Sequence, residues 1–349
     1  MAWATPQYSK GRVDTAGSIL ISEESPENAH LIEEAQIVTN NWRSSHGMPL
    51  NTFRKTLRLY ATRLDSQSLV AQRIKRLSSI ELKLRRFPTM KLSQMQDLGG
   101  CRAIVNSVQT VNSLVSVYTK STISNKLVDI DDYIKSPKSS GYRGIHLIYR
   151  YYTTYKTEAY NGLKIEIQLR TGLQHAWATA VETVGTFISQ ALKSSQGEEG
   201  WLRFFALMST AIAQREKGAI VPNTPSDKRA LTIELQSYVD KLDVVRILEV
   251  YAAALQTVTQ PSTKNAQYFL LQLDPSARTV AVTGYRANEL ERASNEYLES
   301  ERRINEKTGA QAVLVSVDSL ASLRRAFPNY FLDTSLFIAA VNEAVQQKT

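Results

Sequence analysis

Four short runs of strand-like composition lie between residues 101 and 169, and they limit this part of the chain to a sheet-containing fold. The runs are Cys101–Ser107, Lys126–Ile134, Ile145–Tyr152 and Leu163–Leu169. In the last run Ile165, Ile167 and Leu169 alternate with polar residues, a pattern typical of a strand with one buried face. Because residues with helical spacing surround these runs, the sequence predicts a mixed α/β (α+β) domain, with a central sheet flanked by helices.

The helical stretches lie on both sides of the predicted sheet and belong to a domain over residues 27–217. Residues 27–86 are predicted to be helical, including the segment Arg73–Lys83, because apolar residues recur there at helical spacing. They are Phe53, Leu57, Tyr60, Leu64, Ile74, Leu77 and Ile80. Further helices are expected at Val108–Lys120, Gly172–Lys193 and Trp201–Lys217. Residues 1–26 show little apolar periodicity and are expected to be a loosely ordered segment.

The remainder of the chain is predicted to contain a neck and a second, smaller domain. Residues 218–258 are expected to be a linker with two prolines followed by one long helix, Lys228–Gln256. Residues 259–349 are expected to form a small α/β unit. Its predicted elements are a turn-rich stretch at Thr259–Asn265, a hairpin of Tyr268–Leu273 and Thr279–Gly284, a helix at Glu289–Glu306, a strand at Ala312–Val317 and a helix at Thr334–Val345.

The positive charge of the chain is concentrated in one region. The net charge is +9, and residues 51–100 contain eleven Lys and Arg against three acids. This block favours a polyanionic ligand such as a nucleotide or RNA, with a solvated helix face as the alternative. No apolar run of about 18 residues and no secretory signal occur, so a cytoplasmic protein with no membrane span is expected. The one cysteine, Cys101, excludes a cysteine zinc site within the chain.

Four segments combine cations, carboxylates and an aromatic ring in a pattern suited to a nucleotide phosphate chain. They are Arg73–Lys83, Met95–Arg102, Lys138–His146 and Glu166–Thr171, the last followed by His175. Asp97 and Glu166 border or lie on predicted strands, and carboxylates of this kind hold Mg²⁺. Taken alone, each acid is more often a salt-bridge partner, and Tyr142 is more often a packing residue. Their joint occurrence indicates a functional site.

In their order along the chain, these segments resemble the synthetase signature of the RelA/SpoT family. The matching patterns are R-x-K-x₃-S-I-x₂-K, D-x-x-G-x-R, K-x-x-G-Y-x-x-x-H and E-I-Q-x-R-T. The resemblance covers about residues 50–190 and implies a Mg²⁺-dependent pyrophosphokinase, which moves a diphosphate from ATP onto a ribose hydroxyl. The paired hydrolase domain of long family members is missing, and no His-Asp dipeptide occurs.

The resemblance also implies a role for each site residue. Arg73 and Arg102 would bracket the adenine of ATP, while Lys75, Ser79 and Lys83 would hold its phosphates. Asp97 and Glu166 would bind Mg²⁺, and Glu166 would also accept the proton of the attacking hydroxyl. The base of the acceptor would stack on Tyr142, and the acceptor would be surrounded by Lys138, His146, Gln168 and His175.

Two departures from the common family pattern bear on the acceptor and on regulation. Alarmone-making members commonly have Asn where Ser140 stands and Ser where Gly144 stands, so the recognition of guanine is expected to be relaxed. The C-terminal unit is similar to that of the fused toxin–antitoxin members known as CapRel. There a pseudo-zinc-finger-like unit blocks the ATP site with a Tyr-x-x-Tyr segment, and the corresponding residues here are Phe327 and Tyr330.

Three functions remain open on this basis. The first is a toxic pyrophosphokinase that acts on the 3′ ribose of tRNA, is restrained by its own C-terminal domain and is released by a phage protein. The second is an alarmone synthetase that converts GDP or GTP to (p)ppGpp. The third is a non-catalytic nucleotide or RNA-binding module with a degenerate synthetase fold.

Overall fold

The computed structural model describes residues 3–23, 25–120, 125–191, 197–254, 256–259, 266–304 and 310–346. Within these ranges the helices are α1 Lys10–Leu20, α2 Ala29–Ser44, α3 Gly47–Leu64, α4 Leu77–Arg86, α5 Val108–Lys120, α6 Gly172–Ala191, α7 Gly197–Arg215, α8 Lys228–Lys241, α9 Val244–Ala254, α10 Leu290–Arg303, α11 Leu320–Ala326 and α12 Ser335–Gln346. The strands are β1 Leu69–Ile74, β2 Gly99–Val105, β3 Lys126–Asp132, β4 Ile145–Arg150, β5 Lys164–Thr171, β6 Gln256–Thr259, β7 Tyr268–Asp274, β8 Thr279–Tyr285 and β9 Gln311–Ser316. Parts of five predictions lie outside the described residues: positions 1–2 and 24 of the N-terminal segment, the turn at 260–265, and helix positions 192–193, 255 and 305–306.

The described strands form one mixed sheet in the order β3-β4-β5-β2-β1-β9-β7-β8-β6. The pairs β2–β5 and β6–β8 are parallel, and the other described pairs are antiparallel. The mixed α+β architecture predicted from the sequence is therefore confirmed. Strand β9 pairs with β1 through Gln72↔Ser316 and Arg73↔Val315, so the C-terminal strands extend the sheet of the first domain.

Strand β1 was not predicted, because its residues were assigned to a helix continuing through Lys83. The spacing of Ile74, Leu77 and Ile80 is helical, yet Leu69–Ile74 pairs with β2 on one edge and β9 on the other. Hydrogen bonds on both edges outweigh a weak local preference. Helix α3 ends before this strand, where Asp65 has extended backbone angles and accepts hydrogen bonds from the backbone of Gln67 and Asn106. Arg73 and Lys75 therefore do not lie on the helix that carries Lys83.

The N-terminal segment is also better ordered than expected. Helix α1 begins after Ser9, whose hydroxyl accepts a hydrogen bond from the backbone N–H of Arg12 at 3.3 Å. Gly17 lies against Leu92 so closely that a Cβ atom would be 2.8 Å from the Leu92 Cβ. The buried face of α1 is short, which explains why its periodicity is weak in the sequence.

The neck and the last helix differ from the prediction in how they are divided and packed. The predicted single helix over 228–256 is interrupted at Asp243, whose φ is +47°, and its last predicted residue, Gln256, is the first residue of strand β6. Helix α12 does not pack with the C-terminal sheet. Its Phe337, Ala340 and Val341 join the apolar cluster of α6–α9, which contains Phe204 and Phe205. The C-terminal unit is thus attached to the first domain at β1 and again through α12.

Opposite faces of the extended sheet bury different clusters. On one face, Ala71 of β1 packs with Phe269, Val315 and Phe327 of the C-terminal unit. The other face of the C-terminal strands is covered by α10, whose Ala293 and Tyr297 pack on residues that alternate with the first set. No helix in the described part of the chain is both long and apolar enough to cross a lipid bilayer.

Candidate active site

One small cavity is lined by residues from three of the four motifs and by Phe327 of the C-terminal unit. It lies on the face of the sheet that contains Ala71, and Gly100 leaves room there, because a Cβ at this position would be 3.7 Å from Glu166 Oε2. The predicted residues that line it are Arg73, Lys75, Asp97, Arg102, Glu166, Gln168 and Phe327. The parallel pairing of β2 with β5 places Gly100 opposite Glu166, which explains how segments 66 residues apart meet.

Asp97 is held between two lysines of the predicted phosphate-binding set. The Lys75 ammonium donates to Asp97 Oδ2 at 2.8 Å, and the Lys83 ammonium donates to Oδ1 at 2.9 Å. Burial alone raises the pKa of Asp97, but the two ammonium groups outweigh it and the pKa lies below its usual value. Asp97 is therefore ionised at neutral pH. Ser79 lies in the first turns of α4 and is half-buried, without a contact that assigns it a role.

Glu166 is bound from two sides by residues that the resemblance assigns to the acceptor. His146 Nδ1 lies 2.9 Å from Glu166 Oε1, and Gln168 Nε2 donates to Oε2 at 2.7 Å. Burial and the nearby Asp97 carboxylate raise the pKa of Glu166, but the contacts with His146 and Gln168 outweigh them, so the pKa is lowered. A buried carboxylate with a low pKa is ready to bind a cation or to accept a hydrogen bond from an approaching hydroxyl.

The two arginines of the predicted adenine site lie beside an aromatic ring of the C-terminal unit. The Arg102 guanidinium is 5.9 Å from the centroid of the Phe327 ring, and Arg73 lines the same cavity. Burial and the charges of Arg170 and Arg73 lower the pKa of Arg102 to about 9, so it remains a cation at neutral pH. Phe327 is 3% exposed, and the cavity beside it has a volume of about 40 Å³.

Tyr142 is the centre of a polar and aromatic cluster next to Glu166. Its hydroxyl accepts from Arg170 Nη2 at 2.6 Å and lies 2.5 Å from His146 Nε2. The Arg170 guanidinium is 4.9 Å from the Tyr142 ring centroid, and the Lys138 ammonium is 5.6 Å from it. A chain of contacts therefore runs from Arg170 through Tyr142 and His146 to Glu166.

Two members of this cluster were assigned no role from the sequence. Tyr133 packs edge-on against two rings, with its ring centroid 5.6 Å from that of Tyr142 and 5.4 Å from that of His146. The Lys138 ammonium lies 4.2 Å from the Tyr133 ring centroid. Arg170 stands in the fourth matched motif, and this position is the signal by which it could have been found. Tyr133 carries no motif signal, because it reaches the site only through the pairing of β3 with β4.

Two predicted residues have neighbours that bear on the roles that the resemblance gave them. His175, which the resemblance assigns to the acceptor, has its Nδ1 3.5 Å from Nη1 of Arg102, which the resemblance assigns to ATP. Burial, Arg102 and Arg170 lower its pKa well below the usual value, so it is neutral at pH 7. Tyr330 is 1% exposed and is packed inside the C-terminal core, whereas Phe327 lines the cavity.

The donor set of the cavity fits Mg²⁺ better than a metal that needs a full protein cage. Among the described residues, no group of three or more His, Cys, Asp and Glu side chains is placed to hold a metal ion. Asp97 and Glu166 contribute carboxylates to the same cavity. Mg²⁺ commonly uses one or two protein carboxylates and takes its other ligands from water and substrate phosphates.

A family profile matches the part of the chain that contains this cavity. The family is described as "Region found in RelA / SpoT proteins", and the match covers residues 72–185, including all four motifs. Residues 72–185 of this chain are therefore similar to the region that RelA and SpoT proteins share. The matched region begins within β1 and ends in α6, and it contains every charged or amide side chain named above as lining the cavity.

Two curated relatives match the RelA/SpoT domain over part of their length. "GTP pyrophosphokinase YjbM" of Bacillus subtilis is 33% identical over 133 residues, which are 36% of this chain and 59% of the relative. "GTP pyrophosphokinase YwaC" of the same organism is 32% identical over 112 residues, 31% of this chain and 52% of the relative. The chain thus spans somewhat more than half the length of each.

Solved structures of similar proteins cover about half of this chain. The small alarmone synthetase 1 from Bacillus subtilis, bound to its product pppGpp, is 23% identical, with a TM-score of 0.42 over 49% of this chain and 89% of that one. A GTP pyrophosphokinase family protein from Streptococcus pneumoniae is 24% identical, with a TM-score of 0.40 over 49% and 86%.

Proposed function

We propose that the chain is a Mg²⁺-dependent pyrophosphokinase that transfers a diphosphate from ATP to the 3′ ribose hydroxyl at the acceptor end of tRNA, and that its C-terminal unit restrains it. The observation that carries the proposal is the cavity shared by Asp97, Glu166 and the cations of the RelA/SpoT domain. The same cavity is lined by Phe327 of the C-terminal unit. Because both carboxylates and both phosphate-side lysines are present, a non-catalytic nucleotide or RNA-binding module is disfavoured.

The residues of the cavity account for each part of the transfer. The acceptor hydroxyl oxygen bonds to the β-phosphorus of ATP, the bond from that phosphorus to the α,β-bridging oxygen breaks, and AMP leaves. Glu166 takes the hydroxyl proton, while Lys75 and Lys83 neutralise the phosphate charge. Mg²⁺, held by Asp97 and Glu166, would supply further neutralisation of the diphosphate. When the phosphates bind, the two lysines release Asp97 and donate to the phosphate oxygens instead.

Restraint by the C-terminal unit is supported by the size of the cavity. Sites for small molecules occupy about 300–1,000 Å³, whereas the cavity beside Phe327 has about 40 Å³, room for only a few water molecules. The Phe327 ring contacts the Arg102 cation as a purine ring would. ATP binding therefore requires that Phe327 move. The resemblance to fused toxin–antitoxin proteins extends the proposal to phage defence, with a phage protein as the partner that withdraws Phe327.

The acceptor is the part of the proposal for which there is a specific alternative, GDP or GTP in place of tRNA. The loop lacks the Asn and Ser of alarmone-making members, and the basic block at 51–100 suits RNA. The names of two curated relatives, both GTP pyrophosphokinases, favour GDP or GTP instead, with (p)ppGpp as product. Incubation with ATP labelled at the β-phosphate and either tRNA, GDP or GTP separates them. Label in tRNA supports the proposal, and label only in a guanosine nucleotide overturns its acceptor.

Reversing charge at Arg86 and Lys91 is expected to lower transfer to tRNA about tenfold or more and to leave transfer to GDP or GTP unchanged. Both side chains are exposed, so they are free to meet the phosphate backbone. Backbone contacts of this kind make binding fall steeply with salt. The double variant Arg86→Glu/Lys91→Glu should be assayed between 50 and 200 mM salt. Arg229→Glu, an exposed cation on α8, is the matched control, and an equal loss there would contradict a specific RNA contact.

Replacing Tyr142 by alanine is expected to reduce use of the acceptor about tenfold to a hundredfold, because a stacked base contributes about 1–3 kcal/mol. ATP binding should change far less, since the ATP side of the cavity is formed by Arg73 and Arg102. The measurement is the KM for the acceptor beside the Kd for ATP. Tyr142→Phe keeps the ring and removes only the hydroxyl contacts to Arg170 and His146. If this variant is as defective as Tyr142→Ala, stacking is not the role of the ring.

A further inference from the structure

Glu301 of α10 is the one C-terminal carboxylate that reaches a buried cation of the first domain, within the described residues. Glu301 Oε1 accepts from Arg43 Nη1 at 3.2 Å, and its Oε2 is ion-paired with Arg43 Nη2. The Arg43 side chain is 1% exposed and that of Glu301 is 11% exposed. The other described ion pairs between the C-terminal unit and the first domain are more exposed to solvent; they join Asp318 to Arg54 and Arg58, and Glu343 to Arg215. A buried pair is sensitive to the loss of one partner, whereas exposed pairs contribute little.

The same carboxylate holds the first turn of the helix that carries Lys83. Helix α4 begins after Arg76, which makes no side-chain capping hydrogen bond, so its first N–H groups need an acceptor from elsewhere. Glu301 Oε1 accepts from the backbone N–H of Leu77 at 3.0 Å. A negative charge at this end of a helix is favourable. Arg76 itself donates to Gln311 of β9 at 2.7 Å, so α4 is bound by the C-terminal unit at two points.

These contacts lie on the face of the sheet away from Phe327. Tyr297 and Ala293 of α10 pack on Tyr268 and Leu270, whereas Phe327 packs with the alternate residues of the same strand. Tyr297 also donates to Glu301 Oε1 at 2.7 Å and lies under the Arg43 guanidinium. The C-terminal unit therefore contacts the first domain on both faces of the sheet.

We propose that Glu301 and Arg43 form a buried latch that keeps the C-terminal unit closed over the cavity lined by Arg73, Arg102 and Phe327, hereafter the donor cavity, independently of the Phe327 ring. The inference rests on the proposed function and names the regulation of that site. In the closed chain Glu301 neutralises Arg43 and caps α4. When the C-terminal unit moves away, Arg43 keeps its hydrogen bonds to Asn40 and to the Lys75 carbonyl, and water replaces Glu301. Weakening the pair therefore penalises the closed state more than the open one.

Glu301→Gln is the sharpest test, because it keeps the shape and the acceptor for Leu77 but leaves Arg43 without a counter-charge. We expect about tenfold or more tighter apparent binding of Mg²⁺–ATP, measured by equilibrium dialysis, and a similar rise in diphosphate transfer. Arg43→Met should also favour the open state, because it leaves the largely buried Glu301 carboxylate without a counter-charge. The double variant should be less open than either single variant, because neither charge then lacks a partner. Glu299→Gln, in an exposed pair with Arg303 on the same helix, is the matched control and should change binding less than twofold.

The outcomes separate the latch from the proposed enzyme. Tighter ATP binding by Glu301→Gln without any transfer product supports the latch and counts against the pyrophosphokinase. Higher transfer by Phe327→Ala with Glu301→Gln unchanged in ATP binding and transfer overturns the latch and leaves the enzyme intact. Additive effects in the double variant would also overturn it, since independent residues show no coupling. If Glu301→Gln does not fold, Glu301→Asp, which keeps the charge and shortens the reach, takes its place with the same expected direction.

Discussion

Replacing Glu166 by glutamine is expected to lower diphosphate transfer at least a thousandfold while leaving the fold intact. A general base contributes about 10²- to 10⁴-fold, and the same carboxylate is a proposed Mg²⁺ ligand, so two contributions are lost together. The amide has nearly the same shape and can still bond to His146 and Gln168, which now bind the carboxylate. The measurement is single-turnover transfer from labelled ATP in a Phe327→Ala background, where the cavity is expected to be open.

The control for this substitution is Glu158→Gln, which changes an exposed glutamate and should keep full activity. Thermal unfolding should show that the Glu166→Gln protein is folded, and ATP binding should remain within about tenfold of the parent. Retention of more than a tenth of the transfer rate would show that another group accepts the proton. A loss of folding in this variant would instead identify Glu166 as a structural ion-pair partner of His146.

Replacing Phe327 by alanine is expected to raise transfer about tenfold to a hundredfold. The aromatic contact to Arg102 contributes about 0.5–2 kcal/mol, and removing the ring also enlarges a cavity that is too small for ATP. Each 1.4 kcal/mol that the closed state loses is a tenfold change in the open fraction. The measurement is the apparent Kd for Mg²⁺–ATP together with the transfer rate, and growth inhibition on expression provides a cellular readout.

Phe331→Ala is the matched control for this effect. Phe331 is buried in the same apolar cluster, but its ring lies against Arg324 and does not line the donor cavity. If both variants raise activity equally, general loosening of the C-terminal unit explains the result and Phe327 has no special role. Removal of all residues after 260 is a poorer test, because it also strips α12 from the helical cluster of α6–α9.

The sequence determined the class of the fold and most of the candidate site, because both are local properties. Strict alternation over Ile165–Leu169 predicted β5, and the hairpin of β7 and β8 followed from two strand-like runs around Asp274. The four motifs contain all but one of the charged and amide side chains that line the donor cavity, since each motif keeps its chemical groups at fixed spacing. The exception is Gln72, which precedes the first motif by one residue.

What the tertiary structure decided were the features that depend on pairing between distant segments. Leu69–Ile74 is a strand because β2 and β9 offer hydrogen bonds on its two edges. The sequence of these six residues alone does not indicate that pairing. The same pairing moved Arg73 from a helix to β1 and brought Phe327 to Arg102. The Arg43–Glu301 contact joins residues 258 positions apart, each of which is an ordinary charged residue in its own helix. Burial turns such a pair into a specific contact, and burial is fixed only when the sheet is complete.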